Sequence, residues 1–463
     1  MRTLVFLTDT LSNHSGGMEV HQDAFIKFFS KSKYKLLVIT KKPTIQLQVN
    51  GTTIQDFPSL FDFSIWLRCL PDDTILFFNN LSWIRQTPYL RQMLPNSQFI
   101  LRSGGNDILR APFEDDSIPL SNRQKQIVEI INHNISTLIV NSDYSYLRNV
   151  ELGIDADVMV KMRGGVDDDL VTKLKANKKI NRNKFDELYN TFDKKLITIA
   201  CRMVDFKDIP TFLDFYKKLD RRKYFLLIIG DGKLGEMVRL KLSECLENYE
   251  YAFLGENPHE ETIQFISISD AVINSSNYCR RYFGEESYVH TETMGRTMQE
   301  AIVSGVPIIA TNVGGTHELF MENSKIGVLL DSWDELEEAL NFVFSQDKWS
   351  VNVDYSWNNL FKCYEKVCDH QNEVNLYIFD IDNTLLKEGA SSDDICQYLN
   401  ENKAFKYYVL NSSREFNDDN RELMERLSGS VFISENGLHI YRKSIGNVSQ
   451  KVLTSNLRSM EDD

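Results

Sequence analysis

The chain has 463 residues, a length that fits about three domains of roughly 150 residues each. Hydrophobic residues make up 42% of the chain and aromatic residues 11%, which excludes a disordered or fibrous protein because this chain can bury apolar cores. The formal net charge of −14 argues against general binding to nucleic acid, whose phosphates repel an acidic protein.

Cysteine usage and the first residues bear on the compartment. The seven cysteines are scattered and no CxxC occurs, so neither a zinc site nor a disulfide framework is predicted. The opening MRTLVFLTDTL carries a single basic residue and reaches Asp9 too early for a signal peptide, and no apolar run approaches the ~20 residues that cross a bilayer. We expect a cytoplasmic protein.

A peripheral membrane contact is one interpretation of residues 25–35. This segment, FIKFFSKSKYK, places four lysines beside aromatic side chains, a composition that suits the inner face of a membrane. Solvated lysines at the end of a helix explain the same pattern, so both readings stay open.

Short apolar runs alternate with longer segments of helical period along most of the chain. Such runs are typical of strands in parallel sheets, which are buried on both faces. The first series of predicted strands is Thr3–Thr8, Lys35–Thr40, Thr74–Phe78, Gln98–Arg102, Thr137–Asn141 and Asp157–Lys161. The second series is Leu196–Ala200, Phe225–Ile229, Tyr251–Leu254, Ala271–Asn274, Pro307–Ala310 and Gly327–Leu330. The alternation predicts an α/β fold with two doubly wound, Rossmann-like domains facing a ligand cleft.

Domain boundaries follow from changes in composition. The first domain is predicted over residues 1–170 and the second, closed by a helix in SWNNLFKCYEKVC, over residues 196–368. Residues 171–195 are rich in Lys and Asn, which predicts an interdomain linker with one exposed helix. A new apolar strand begins near residue 375, so a third unit is predicted over residues 374–463.

A glycine pair, Gly16 and Gly17, follows the first predicted strand and precedes a helical segment. Paired glycines let backbone N–H groups approach an anion closely, and the helix N-terminus adds a favourable field. A tight turn explains the same pair, so a phosphate contact and a plain turn both remain open here.

Two carboxylates lie eight residues apart across a glycine in the second domain, in the segment from Glu292 to Glu300. A helix that starts at Gly295 would carry Thr297 and Glu300 on its first turns and leave Glu292 in the preceding loop. Glu300 could then bind two ribose hydroxyls while the helix N-terminus faces phosphate.

The order of motifs resembles the retaining glycosyltransferases of the GT-B fold, in the large family 4 that includes sucrose-phosphate synthases and many bacterial glycan enzymes. The resemblance covers about residues 1–368. Its elements occur in family order: SGGME, VNSDYSYL with MRGGVD, ACRMVDFKD, LLIIGDG, the E-x7-E segment and GVPIIATNVGGTHEL. The resemblance implies a hexosyl transfer that needs no metal, from a UDP-, GDP- or ADP-sugar to a glycan, lipid-linked or small-molecule acceptor.

The resemblance also implies roles for individual residues. Arg202 and Lys207 match the basic pair that neutralises the donor diphosphate, a task that two cations can perform in place of a metal ion. Glu292 matches the carboxylate that faces the donor sugar, and Glu300 matches the ribose-binding carboxylate. Four further positions match contacts to the donor phosphates: Gly16, Gly17, Gly295 and Thr297.

The sequence departs from the family at two places. The family's histidine beside the donor sugar is absent, and the comparable loop offers Asn106 and Asp107, which could hold a sugar hydroxyl or form a plain turn. An insertion, SNYCRRYFGEESYVHT, precedes Glu292 and brings His290 to the edge of the cleft. An insertion at a substrate entrance favours a role in specificity, and an ordinary surface histidine is the alternative.

The third unit resembles the HAD phosphatase superfamily in its first motifs. Asp380 and Asp382 end an apolar strand, and an aspartyl-phosphate mechanism uses such a pair beside Mg²⁺. Ser412 matches the second motif, which holds phosphate, and ISENGL resembles the sugar-phosphatase branch. The third and fourth motifs cannot be assigned in the 25 residues after Leu438, so the HAD-like domain is predicted to be partial.

The function predicted from these patterns is retaining glycosyl transfer in bacterial surface-glycan or glycoconjugate synthesis. Two alternatives stay open. One is a bifunctional sugar-phosphate synthase and phosphatase, and the other is a non-catalytic GT-B and HAD-like interaction scaffold.

Overall fold

The computed structural model describes most of the first 369 residues and five strands of the remainder. The described residues are 2–9, 11, 17–41, 48–49, 52–56, 63, 66–111, 118–323, 325–369, 376–380, 407–411, 430–434, 439–444 and 447–452. They belong to two compact units, Met1–Gln371 and Asn372–Asp463, which are treated separately.

The first sheet is formed by the N-terminal half of the first unit. Its strands are β1 (Thr3–Thr8), β2 (Lys35–Thr40), β3 (Gln48–Val49), β4 (Thr52–Asp56), β5 (Ile75–Phe78), β6 (Gln98–Arg102), β7 (Thr137–Val140) and β8 (Met159–Lys161). Their order is β3-β4-β2-β1-β5-β6-β7-β8, and the pairing is parallel except between β3 and β4. Because β1 and β5 are completely buried, both faces of the sheet are covered.

The second sheet is parallel throughout the described residues. Its strands are β9 (Lys195–Ala200), β10 (Tyr224–Ile229), β11 (Tyr251–Gly255), β12 (Ala271–Asn274), β15 (Ile308–Thr311) and β16 (Gly327–Leu330). The order is β11-β10-β9-β12-β15-β16, and a separate antiparallel hairpin is formed by β13 (Cys279–Phe283) and β14 (Glu286–His290).

Each sheet has a point at which the strand order reverses, between β1 and β5 in the first and between β9 and β12 in the second. Ligands of doubly wound sheets bind outside the carboxyl ends of the strands at such a point. The predicted strands of both series are confirmed to within two residues at each end. The structure adds the short β3–β4 pair and the hairpin, which the sequence did not predict.

Helices cover the faces of the two sheets. Those of the first half are α1 (Gly17–Phe29), α2 (Thr87–Met93), α3 (Asp107–Arg110), α4 (Leu120–Asn134) and α5 (Asp143–Glu151). Those that follow are α6 (Asp168–Ala176), α7 (Lys178–Tyr189), α8 (Ile209–Tyr216), α9 (Gly235–Cys245), α10 (His259–Ile268), α11 (Arg296–Val303), α12 (Thr316–Glu322), α13 (Leu336–Ser345) and α14 (Trp357–Asp369).

The segment predicted as a linker contains two packed helices, α6 and α7. Val171, Leu174 and Phe185 are buried in the core beneath the second sheet, and Arg182 pairs with both Asp186 and Asp270. The polar composition of residues 171–195 therefore describes the outer face of helices whose inner face is apolar, rather than an exposed linker.

Helix α14 follows the second sheet in the chain but packs on the first. Phe361 and Tyr364 share a core with Phe6, Phe25 and Phe77. The sequence predicted that this helix closes the second domain. Its amphipathic pattern shows that one face is buried, but the pattern does not say against which sheet.

Most aromatic side chains of residues 25–35 belong to a core, and Phe28 is partly buried against that core. Phe25, Ile26 and Phe29 are 0% exposed in the core that α1 forms with α14. Lys33 points outward and pairs with Asp369 at 2.5 Å. Most of the aromatic surface that would favour a membrane contact is therefore buried in this core.

No helix within the described residues is both long and apolar enough to span a membrane.

The second unit contributes a five-stranded sheet, ordered β17-β18-β19-β20-β21. Its strands are β17 (Leu376–Asp380), β18 (Tyr407–Asn411), β19 (Ser430–Ser434), β20 (His439–Ser444) and β21 (Asn447–Val452). Strands β17, β18 and β19 pair in parallel, whereas β20 pairs antiparallel with both β19 and β21. The assignment of this unit as a partial HAD-like domain stays a prediction.

Candidate active site

An ion pair between Lys207 and Glu292 lies at the carboxyl end of the second sheet. The Lys207 ammonium donates to Oε2 of Glu292, and both side chains are largely buried. The pair borders a small cavity that is also lined by Ala200 at the end of β9 and Asn274 at the end of β12. These strands flank the point at which the strand order reverses, so the ion pair lies where a doubly wound sheet binds its ligand.

Local structure fixes Lys207 in place. It ends a 3₁₀ turn, Asp205–Lys207, and the next residue, Asp208, has a left-handed φ of 41° before α8 begins. The hydroxyl of Ser275, just beyond β12, donates to the Lys207 carbonyl at 2.5 Å. The turn between β9 and α8 is thus tied to the neighbouring strand, which limits the positions open to the ammonium.

The two charges hold each other ionised. Burial alone would lower the pKa of Lys207, but the Glu292 carboxylate raises it above its ordinary value. Burial would raise the pKa of Glu292, and the ammonium together with the N–H groups of Met294 and Gly295 lowers it. At neutral pH the pair is therefore an ammonium and a carboxylate.

Close backbone contacts position the Glu292 loop. Gly315 donates its N–H to the Glu292 carbonyl at 3.0 Å. A Cβ on Gly314 would lie 2.0 Å from that carbonyl oxygen, and a Cβ on Gly315 would lie 2.0 Å from the Thr293 carbonyl oxygen. Only glycine permits this approach, so the glycine pair in ATNVGGTHEL serves to hold the carboxylate loop.

Gly295 and Thr297 lie at the start of α11. Gly295 precedes the helix with a left-handed φ of 74°, which suits glycine, and its N–H donates to Oε1 of Glu292 at 3.0 Å. Thr297 donates its hydroxyl to the carbonyl of Ala200 at 2.8 Å and so ties α11 to β9. Both residues lie beside the cavity that Lys207 and Glu292 line.

Glu300 is buried one turn into α11, with 3% of its surface exposed. Its Oε1 lies 2.8 Å from Nε2 of His259, the first residue of α10. His259 was missed by sequence reasoning, because a single histidine after a proline carries no signal of a partner 41 residues away. The pair makes His259 a second candidate contact for whatever Glu300 binds.

Arg202 differs from Lys207 in its surroundings. The side chain is exposed just beyond β9 and forms no ion pair with any residue that the structure describes. Its charge reaches the site, since it lowers the pKa of both Lys207 and His290 as a smaller contribution. Arg202 is therefore a cation available to an incoming anion.

The inserted segment before Glu292 forms the β13–β14 hairpin and contacts the first domain. Phe283 and Tyr288 pack against the core of the first sheet. Glu286 accepts hydrogen bonds from the N–H of Ser121, at 3.1 Å, and from its hydroxyl, at 2.5 Å, near the start of α4. The hairpin thus ties the segment that leads into the Glu292 loop to the first sheet and to α4.

His290 ends this hairpin, two residues before Glu292. Its ring stacks on Phe206, the neighbour of Lys207, with centroids 4.5 Å apart, and its Nδ1 lies 3.2 Å from the Tyr288 hydroxyl. Burial, reinforced by Arg281, lowers the pKa of His290 to about 4. A neutral imidazole therefore faces the site at neutral pH and can exchange hydrogen bonds with a hydroxyl.

Asn106 and Asp107 have separate positions in the loop after β6. Asn106 is buried and donates to the Thr291 carbonyl at 2.7 Å, while its own Oδ1 has no hydrogen-bond partner among the residues that the structure describes. Asp107 accepts from the hydroxyl of Ser103 at 2.6 Å and from the N–H of Gly104 at 2.9 Å. Asp107 thus stabilises its own turn, whereas Asn106 reaches the Glu292 loop of the second domain.

The remaining predicted site residues lie either next to residues that the structure does not describe or among them. Gly17 is the first residue of α1, and Gly16 lies outside the described residues. Asp380 is the last residue of β17, and both Asp382 and Ser412 lie outside the described residues. Among the residues that the structure describes, no group of three or more His, Cys, Asp or Glu side chains is placed to hold a metal ion.

Comparison with known proteins relates this site to a family. Residues 181–356 match the sequence model of Glycosyl transferases group 1. The matched segment contains Lys207, Glu292 and Glu300. An uncharacterized 41.2 kDa protein in the cps region of Klebsiella pneumoniae is 24% identical over 254 residues, or 51% of this chain. The match spans 64% of that relative, which is less than two thirds of its length.

Solved structures share the fold at low identity. Alr3699/HepE of Anabaena, solved in complex with UDP, superposes with a TM-score of 0.62 at 16% identity, covering 79% of this chain and 99% of that one. The same protein has been solved with UDP-glucose, and with UDP and glucose. Sucrose-phosphate synthase from Thermosynechococcus elongatus gives a TM-score of 0.59 at 16% identity over 79% of this chain and 99% of its own. The predicted GT-B fold is confirmed.

Proposed function

We propose that this chain is a retaining glycosyltransferase that moves a sugar from a nucleotide-sugar to an acceptor hydroxyl. The observation that carries the proposal is the buried Lys207–Glu292 pair at the point where the second sheet reverses, within the segment that matches the group 1 family. A doubly wound sheet binds its ligand at the carboxyl ends of its strands. There, a basic pair suits the anionic diphosphate of a donor, and a carboxylate in the loop before a helix suits its sugar.

The donor would lie along the second sheet. Its diphosphate would be held by Lys207, by the exposed Arg202 and by the N-terminus of α11, and its ribose hydroxyls by Glu300 with His259 beside it. UDP is the nucleotide bound in the Anabaena structure, which makes UDP-sugars the first donors to test.

The reaction breaks the bond between the anomeric carbon and the diphosphate oxygen, and the acceptor oxygen bonds to the same face of that carbon. The acceptor proton passes to the leaving phosphate oxygen, so no protein base is required. Arg202 and Lys207 stabilise the negative charge that develops on the diphosphate, in place of a metal ion.

Glu292 acts on the sugar side of the same event. Before the donor binds, the carboxylate neutralises Lys207. A diphosphate that takes over the ammonium frees Glu292 to contact the sugar, where positive charge develops in the transition state. His290 and Asn106 line this side of the site and are proposed contacts to sugar or acceptor hydroxyls.

The proposed acceptor is a glycan or a glycolipid of a bacterial surface polysaccharide. The support is the Klebsiella relative, whose printed description places it in a cps region. A location at the inner face of the membrane would suit a lipid-linked acceptor and belongs to the same proposal.

The proposal is tested by transfer and stereochemistry. The chain is incubated with UDP-glucose, GDP-mannose and ADP-glucose and with a panel of saccharide acceptors, and the anomeric configuration of the first-formed product is read by NMR. Retention of the donor configuration, unaffected by EDTA, is expected. An inverted product, or an activity that EDTA abolishes and Mn²⁺ restores, would overturn the mechanism.

The second unit has its own candidate function, phosphoester hydrolysis of the HAD type. The support is the parallel order β17-β18-β19, with Asp380 at the carboxyl end of the first strand. Hydrolysis of p-nitrophenyl phosphate with Mg²⁺, lost in Asp380→Asn, is the test. No hydrolysis above background in the wild type would leave the second unit without that activity.

A further inference from the structure

Two arginines from different domains converge near the start of α11. Arg102 is the last residue of β6, and Arg296 is the first residue of α11. We call the group formed by His21, Arg102, Arg296, Trp357 and Tyr364 the arginine cluster. The proposed donor contacts include neither arginine.

Contacts between side chains join these residues into one group. The guanidinium carbon of Arg296 lies 5.1 Å from the centre of the Trp357 ring, and the His21 ring lies 5.7 Å from the same ring. Nε2 of His21 lies 3.2 Å from the hydroxyl of Tyr364, which also accepts a hydrogen bond from Arg102.

The charge of Arg296 is not neutralised by a contacting acid. Arg296 forms no ion pair with the residues that the structure describes, and its Nη1 is buried without a hydrogen-bond partner. The acids that face it are Glu300 and Glu19, and Glu300 is hydrogen-bonded to His259. A buried guanidinium N–H without an acceptor is costly, so the arrangement favours an acceptor that a ligand brings.

Two titratable members of the arginine cluster, His21 and Tyr364, are uncharged at neutral pH. Burial, followed by Arg102 and Arg296, lowers the pKa of His21 well below its ordinary value, and burial raises the pKa of Tyr364. Burial lowers the pKa of Arg296 to about 10, so the guanidinium stays protonated at neutral pH. The arginine cluster is therefore cationic.

The position of the cluster relates it to the proposed site. Arg296 directly follows Gly295, whose N–H binds Glu292. Arg102 stands at the carboxyl end of the first sheet, which faces the second domain through the Asn106 contact to Thr291. The guanidinium of Arg296 lies over the Trp357 ring. The N–H groups at the edge of a guanidinium are the ones that form paired hydrogen bonds with oxyanions.

We propose that Arg102 and Arg296 bind an oxyanion, a phosphate or carboxylate group, carried by a substrate of this enzyme. The group would come from one of two sources, the diphosphate of the donor or an acidic group on the acceptor. Only the identity of these substrates rests on the proposed function, since the binding of an oxyanion can be measured without any transfer.

The test compares binding by the full chain and by Arg296→Met, which removes the charge and keeps a side chain of similar length against Trp357. Arg102→Met is the second variant. Arg222→Met is the matched control, because Arg222 is 90% exposed and pairs with Asp220 on the surface. Calorimetry measures the Kd of UDP, and separately the Kd of inorganic phosphate for the chain saturated with UDP. Melting temperatures verify that each variant is folded.

At least one of the two Kd values should rise about tenfold or more in Arg296→Met and in Arg102→Met, and neither should rise in Arg222→Met. A higher Kd for UDP in these two variants assigns the oxyanion to the donor. A higher Kd for phosphate in their UDP-saturated forms assigns it to the acceptor. Unchanged values for both ligands in folded Arg296→Met would overturn the proposal. Phosphate binding that needs Arg296, in a chain that cleaves no nucleotide-sugar, would refute the proposed function and keep this inference.

Discussion

The ammonium of Lys207 and the carboxylate of Glu292 form an ion pair, although they are 85 residues apart in the chain. The pair joins the turn after β9 to the loop before α11. In the proposed function a donor diphosphate competes with Glu292 for the ammonium, so we expect binding of the donor to be coupled to release of the carboxylate. This proposed coupling would give Lys207 and Glu292 linked tasks on the two sides of the bond that breaks.

The two glutamates of the E-x7-E segment should separate in kinetics. Glu300→Gln should chiefly weaken donor binding, by about ten- to hundredfold, because a charge-assisted contact to ribose hydroxyls is lost. Glu292→Gln should lower kcat more than it raises the donor KM, because its contact strengthens as positive charge develops on the sugar. Steady-state kinetics at saturating acceptor, with binding of the free nucleoside diphosphate, measure both effects.

Glu338→Gln is the control for that pair, since Glu338 is exposed on α13. The assignment is reversed if Glu292→Gln weakens nucleotide binding while Glu300→Gln leaves it intact. If neither substitution differs from Glu338→Gln, the match of the segment to donor binding is coincidental.

The β13–β14 hairpin should depend on Glu286 for its contact with the first domain. Glu286→Gln weakens the hydrogen bonds to Ser121, so the hairpin amides should exchange with deuterium faster and kcat should fall, because His290 ends the same hairpin. Hydrogen exchange read by mass spectrometry over residues 279–290 measures the first effect. The neighbouring exposed Glu285 provides the control, Glu285→Gln. Equal exchange in the two variants would contradict a bridging role.

Stability should depend on pH through His290. Its pKa is about 4 in the folded chain and about 6.5 in an unfolded chain. Between these values the unfolded state binds more protons, so His290 destabilises the fold as pH falls from 6.5 to 4. The melting temperature of His290→Gln relative to the wild type should therefore rise as the pH is lowered through this range.

The exposed His133 supplies the matched variant, His133→Gln. A melting-temperature difference between His290→Gln and the wild type that stays constant from pH 7 to pH 4.5 would rule out a depressed pKa for His290. Thermal scans at several pH values are sufficient, because only the change of that difference with pH is interpreted.

The sheets could be predicted from the sequence because their strands are buried on both faces. Runs such as those at Thr3–Thr8 and Tyr224–Ile229 are apolar at nearly every position, and burial of both faces is what produces that pattern. The β13–β14 hairpin was not predicted, because Cys279–Phe283 alternates between partly buried and exposed positions rather than forming an apolar run. The surface on which the hairpin packs belongs to the first domain.

Contacts between residues distant in the chain were the second feature that the sequence could not predict. Apolar spacing predicts that α14 has a buried face, but only packing reveals that Phe361 and Tyr364 lie against the first sheet. Motif order indicated Glu300, and it could not indicate His259, whose contact arises from the docking of α10 beside α11. Residues recognised by type and spacing were found, and residues that matter through a tertiary contact were not.

The most direct test of the central claim, that this chain cleaves nucleotide-sugars at the Lys207 site, is a donor-hydrolysis screen. Wild type, Lys207→Ala and Arg202→Ala are incubated with UDP-, GDP- and ADP-sugars, and the released nucleoside diphosphate is quantified. We expect the wild type to cleave at least one donor and each variant to cleave it about 10²–10³-fold more slowly, as for the loss of one group that stabilises developing charge. Failure of the wild type to cleave any donor, or rates in folded Lys207→Ala within a few-fold of wild type, would contradict the claim.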